Sequence, residues 1–128
     1  MNINISNTSD KPIYQQLFEQ ISRQIIKGEL PSNYSLPAIR TAAKELRVSI
    51  ITVKKAWEEL ERHGFIYTMV GKGCFVADLS KGDVTTLRDE MANEKMEKDM
   101  IFYKELGLEL KEIVDMVKKH YMALESER

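Results

Sequence analysis

A chain of 128 residues that is 43% hydrophobic and 30% charged, with a net charge of −1, has room for one or two small domains and is too apolar to be a disordered polymer. No apolar run approaches the roughly 18 residues of a membrane span. The first residues, MNINISNTSDK, lack the cationic start and apolar core of a secretory signal, so a cytoplasmic protein without a membrane partner is expected. The single cysteine, Cys74, excludes an internal disulfide, and no Cys/His cluster accompanies it to suggest a metal site.

Residues 1–9 are polar and read as a loose or short extended arm. Asp10 is placed to cap a helix, and Pro12 suits its first turn. Ile13, Leu17, Ile21 and Ile25 recur at steps of four, with Tyr14, Phe18 and Ile26 beside them, so an amphipathic core helix ends at Gly28. Glu29 to Tyr34 form a connector with Pro31 and Asn33 as turn residues.

Ser35 to Gly64, SLPAIRTAAKELRVSIITVKKAWEELERHG, carries two short helical patterns hinged at Arg47-Val48. Ile39, Ala42, Ala43 and Leu46 share a face of the first. Ser49 offers a hydroxyl N-cap to the second, on which Val53, Ala56, Trp57 and Leu60 share a face, and Gly64 supplies a left-handed stop. Two helices and so tight a turn fit a helix-turn-helix or any packed helical hairpin. In the first case the start of the second helix meets base edges, which here means Ser49, Ile50, Thr52, Lys54 and Lys55. Phe65 to Val76, FIYTMVGKGCFV, favours the first. Two β-type runs flank Gly71-Lys72-Gly73, a hairpin tip that holds a cation between two flexible residues. A helix-turn-helix followed by a hairpin is a winged helix.

The motifs resemble the GntR-type bacterial transcription regulators. PIYQQL at Pro12 to Leu17, GEL at Gly28 to Leu30, LPAIR at Leu36 to Arg40, VSIITV at Val48 to Val53 and GKGCFV at Gly71 to Val76 fall in that family's order. The short tail resembles the YtrA-like subgroup, whose effector domain is a pair of helices. The resemblance implies a homodimeric repressor of an inverted-repeat operator, often in its own operon with transporter genes. It implies DNA contacts at Arg40, along Ser49 to Lys55, and at Lys72 on the wing. Ala38 stands where the family commonly has a serine, Ile50 where it has an arginine or polar residue, and Cys74 where it has a threonine. The first two changes remove polar contacts, and Ile50 is suited instead to a thymine methyl group.

After Lys81 a long helical run reaches about Leu106 and Gly107 breaks it. Gly82-Asp83 and Thr85-Thr86 look like its caps. Leu87 and Met91 start one apolar stripe, while Met96, Met100 and Tyr103 continue it with a phase shift. Leu110, Ile113, Val117 and Tyr121 line a second helix with charges opposite. These two stripes cannot cover each other fully, so a second copy of the chain is expected on them. The expected architecture is mainly α with a small β-hairpin wing: a winged helix-turn-helix over 1–79 and a helical dimerisation tail over 80–128.

Residues 1–79 carry a charge of +2 and residues 80–128 carry −3. Nucleic-acid binding needs a local cationic footprint rather than a basic chain. Arg40, Lys44, Arg47, Lys54, Lys55 and Lys72 supply one if the fold brings them to one side. The partners expected are an operator duplex and a second copy, with no cofactor and an unidentified small effector left open. Catalysis lacks its parts: His63 and His120 are far apart and read as solvated, and no phosphate-binding loop follows a strand. The rival reading is a winged helix that docks proteins without reading DNA.

Overall fold

The computed structural model describes residues 1–127; Arg128, the last residue of the 80–128 tail, lies outside them. In chain order the elements are α1 (Ile13–Ile26), α2 (Ile39–Leu46), α3 (Ile50–Arg62), β1 (Ile66–Met69), β2 (Gly73–Val76), α4 (Lys81–Glu105) and α5 (Leu110–Ser126). They fall into two compact units, Met1–Arg88 and Asp89–Arg128.

In the first unit α3 is central, because α1, α2 and β1 all pack on it. Its Val53, Ala56, Trp57 and Leu60 are buried, as are Leu17, Ile21 and Ile25 of α1 and Ala42 and Ala43 of α2. Phe65, Ile66 and Val76 close the core from the hairpin. The spacing that predicts these faces is therefore the spacing that packs them, and Trp57 is a core residue. Packing of α3 by one face leaves its other face, and its first turn, uncovered.

Four helices end in the same paired hydrogen bonds. The amides of Glu29, Val48, Phe65 and Leu108 each reach back five residues, to the carbonyls of Gln24, Ala43, Leu60 and Tyr103. The residue before each reaches back three. This motif puts that preceding residue in the left-handed region. Gly28, Gly64 and Gly107 fill it at φ 78°, 86° and 83°, whereas α2 ends on Arg47 at φ 58°.

The two strands are antiparallel, with Ile66 opposite Val76 and Met69 opposite Gly73. The tip is thus Val70-Gly71-Lys72, one residue earlier than the glycine spacing suggests, because Gly73 already belongs to β2. The Lys72 amide closes the turn on the Met69 carbonyl at 2.9 Å, with Gly71 at φ 78°. Positive φ at the third turn position alone is the type II requirement. The connector is more than a turn. Asn33 and Leu36 donate to the carbonyls of Val76 and Cys74, and Val76 donates to Tyr34. Residues 33–36 therefore shield the free edge of β2, aided by a 2.8 Å bond from the Tyr67 hydroxyl to Asn33 Oδ1.

The N-terminal arm is extended and held by side chains. Gln24, Gln20 and Gln16 of α1 accept from the amides of Asn2, Asn4 and Ser6. The same three side chains donate to the carbonyls of those residues at 2.7, 2.6 and 2.9 Å. The ladder works because two residues of extended chain advance about 6.6 Å and four of helix about 6.0 Å. Asp10 does not cap α1. Pro12 takes the cap position, and its carbonyl receives the amides of Gln15 and Gln16, so Asp10 lies two residues too early.

The expected caps of α4 are also displaced. Ser80 and Asp83 form a reciprocal pair, each side chain accepting from the other's amide at 3.0 Å. Thr85 and Thr86 instead bond back to the carbonyls of Lys81 and Gly82 within the helix. In the second unit Ile113 is buried, and along α5 Leu110, Val117, Tyr121 and Leu124 are exposed. No helix among the described residues is long and apolar enough to cross a membrane.

Replacing Gln16, which is buried, makes two of these bonds and also donates to the Lys11 carbonyl, with alanine should lower the unfolding free energy by about 1–3 kcal/mol in urea titrations. It should also speed exchange of the Ser6 amide; unchanged exchange would mean that the arm is not held by this ladder. A second test is by pH. The Ser80 amide, and after it the Ser80 hydroxyl, hold the Asp83 carboxyl below the usual aspartate range. A carboxyl depressed in the folded state contributes stability above its unfolded pKa and loses it as pH falls through the folded one. The Ser80 amide resonance should therefore titrate with Asp83 below the normal aspartate range, and Asp83→Asn should abolish that titration.

Candidate nucleic-acid interface

The exposed start of α3 is built from its cap outward. The Thr52 amide donates to Ser49 Oγ at 3.0 Å, and the Ser49 hydroxyl donates to Thr52 Oγ1 at 2.7 Å. Both residues are predicted DNA contacts, and their polar atoms are committed first to starting the helix. Ile50 and Ile51 follow, 43% and 79% exposed, and Lys54 projects one turn later from the same uncovered side. Lys55 is different: its ammonium lies 4.0 Å from the centre of the Tyr14 ring. That contact draws it toward α1.

Arg40 and Lys44 are one turn apart on α2 and exposed, and Arg47 follows in the turn. Among the described residues none of Arg40, Lys44, Arg47, Lys54 and Lys72 is in an ion pair. Arg40 therefore has no surface bridge to a neighbouring glutamate, the ordinary alternative for an exposed arginine. Ala38 begins α2 with no side-chain cap, which leaves that helix's first amides to solvent or to an anion. Gly71, Lys72 and Gly73 are exposed at the wing.

Charge along α3 is polarised. Lys54 and Lys55 lie near the start, and Glu58, Glu59 and Glu61 near the end. A hydrogen bond from Arg62 is the main reason that the Glu59 carboxyl sits below its usual range. Glu61 accepts from the Thr68 hydroxyl of the hairpin. Such a helix can approach a polyanion by its first turn but not along its whole length. His63 is not merely solvated: its ring packs 5.1 Å from that of Phe18, with Glu59 3.7 Å away. Cys74 is half-buried in β2 beside Thr68.

Two exposed residues are not singled out by the sequence reading, although the first falls inside the Ser49 to Lys55 run. Ile51 is more exposed than Ile50, and at 100° per residue it lies nearly opposite the buried Val53, a signal already present in the periodicity. Val70 is 98% exposed at the wing tip, where its β-branched side chain reads as the end of a strand. On the tail, Met96 is exposed, Leu87, Met91, Met100 and Tyr103 are half-buried, and Leu110, Val117 and Tyr121 are exposed. Ile113, at 4% exposure, is already buried within its own chain.

Comparison with known proteins places this geometry. The profile of the family described as bacterial regulatory proteins, gntR family, matches residues 13–76. The uncharacterized HTH-type transcriptional regulator YhcF of Bacillus subtilis (strain 168) is 34% identical over 110 residues, covering 86% of this chain and 90% of that protein. The HTH-type transcriptional repressor YtrA of the same organism is 30% identical over 117 residues, covering 91% and 90%. A GntR family transcriptional regulator from Listeria monocytogenes superposes with a TM-score of 0.68 at 29% identity, over 90% of this chain and 98% of that one. The DNA-binding domain of AraR in complex with operator ORR3 has a TM-score of 0.50 at 28% identity, over 60% of this chain and 93% of that one.

A side chain in the left-handed region costs about 1–2 kcal/mol relative to ordinary backbone, so Arg47→Gly should raise the unfolding free energy by about 0.5–1 kcal/mol. The same variant should weaken duplex binding and reduce the salt slope of log K by about one. A stabilised variant with unchanged affinity and slope would show that Arg47 has no role at DNA.

Proposed function

The chain belongs to the gntR family of bacterial regulatory proteins, in its YtrA-like group, and from that premise we propose that it is a homodimeric cytoplasmic repressor that binds an inverted-repeat operator. The observation that carries the reading is the exposed, unpaired set of cations on α2, its turn and the start of α3, on a helix whose other face is fixed in the core. Arg40, Lys44 and Arg47 hold phosphates, the first turn of α3 enters the major groove, and Lys72 follows the backbone from the wing. Phosphate contacts set register, and base-edge contacts select sequence.

The exposed stripe of α5 supports the second copy. Leu110, Val117 and Leu124 repeat at seven residues, with Val114 and Tyr121 between them, and all five are exposed. That is the stripe of a helix expecting a helix. A two-fold dimer matches a two-fold site, with two recognition helices about 34 Å apart in successive major grooves. The modest cationic footprint of one chain makes affinity depend on pairing. A small effector would act by favouring one separation of the two DNA-binding units over another. The role of repressor, and control of an operon that includes its own gene, come from the likeness to YtrA and its group.

The test is selection of bound duplexes from a randomised pool at two salt concentrations, alongside sedimentation of the protein. Val117→Asp should sediment as a monomer and lose at least tenfold in affinity for the enriched inverted repeat while keeping its helical content. Enrichment of no sequence, with binding that vanishes in salt, would favour a protein-docking winged helix instead.

A further inference from the structure

The first turn of α3 begins Ser49-Ile50-Ile51-Thr52-Val53, four β-branched aliphatic or hydroxyl side chains in succession after the cap. Such residues lose side-chain freedom in a helix and are poorer helix formers than unbranched ones. Val53 repays that cost by being fully buried; Ile50 and Ile51, at 43% and 79% exposure, do not. Neither local propensity nor the core of the chain accounts for two isoleucines at this point. The polar atoms nearby are partly spoken for, since Ser49 Oγ accepts the Thr52 amide and donates to Thr52 Oγ1, which leaves the Thr52 hydroxyl proton as the donor still free beside the two isoleucines.

We propose that Ile50 and Ile51 form an apolar reading edge that recognises the C5-methyl groups of thymines in the major groove, with Ile51 the dominant contact. This rests on the DNA-binding reading above. A thymine presents one methyl group and one carbonyl acceptor to that groove, and apolar side chains discriminate it by the methyl. An isoleucine carries no donor or acceptor that could read the remaining base edges. The edge therefore selects by methyl position, while the unpaired cations of α2 and Lys54 supply sequence-independent attraction. Ile51 has the larger free area to offer, and its neighbour Ile50 is partly covered.

The experiment uses the full-length protein and the duplex it enriches from a randomised pool. The duplex is remade with deoxyuridine replacing thymine at one position at a time, which removes only the methyl group. Each contacted methyl should be worth about fourfold in affinity, the value of one buried carbon group. In Ile51→Ala the penalty at its own position should fall to nearly one, with binding to the all-thymine duplex reduced but retained. Equal affinity for thymine and uracil duplexes would overturn this inference and leave the DNA-binding reading intact. A penalty that persists unchanged in both Ile50→Ala and Ile51→Ala would also overturn it, because another group would be reading the methyl. Failure to enrich any duplex would overturn both readings.

Discussion

The left-handed backbone at Arg47 sets where α3 begins, and with it everything that α3 presents. The Val48 amide bonds to the Ala43 carbonyl at 3.0 Å, and Arg47 itself reaches Lys44 at 3.3 Å. These two bonds end α2 and turn the chain within three residues of the next helix. Ser49 then starts α3 with a hydroxyl cap, so both sides of the turn are fixed by hydrogen bonds rather than by loop length. The same motif ends three other helices on glycine. Strained non-glycine residues persist where the surroundings over-determine them, and they cluster at functional sites. The arginine in that position is exposed at the junction of the two helices.

The division of labour along α3 follows from the same placement. One face is committed to α1, α2 and the hairpin, so the helix cannot roll. Its acidic second half is tied to Arg62 and to Thr68 of β1. The first half of α3, up to Trp57, is free of carboxylates and exposes Ile50, Ile51, Lys54 and Lys55, and the positive end of the helix dipole lies there. A net charge of −1 is then no obstacle to binding a polyanion, because the negative groups are kept away from that end.

Much of this was legible in the residues. The 3.6-residue periodicity marks the cores of α1, α2 and α3 down to Trp57, and glycines mark three of the helix ends. What could not be read is polar and non-local. Gln16, Gln20 and Gln24 repeat at four on a helix while their partners Asn2, Asn4 and Ser6 repeat at two on an arm, and no hydrophobic pattern links the two periods. Residues 33–36 pair with β2 across some forty positions through backbone atoms alone, which carry no side-chain signature. Ser80 competes with three later residues as a cap, and only the position of Asp83 settles the choice. At the site, exposure of Ile51 and Val70 was available from phase and turn geometry, but an isoleucine or valine on a β-rich stretch reads first as buried. Ile113 shares the α5 stripe by spacing, and its burial depends on how the chain packs beside it.

The central claim is that two copies present two first turns of α3 to one duplex. Hydroxyl-radical footprinting of the full-length protein on its enriched duplex tests it most directly. Two protected half-sites related by a two-fold axis, with centres about one helical turn apart and flanking protection from the wings, are expected. A single protected patch, or protection without phase, would contradict the account.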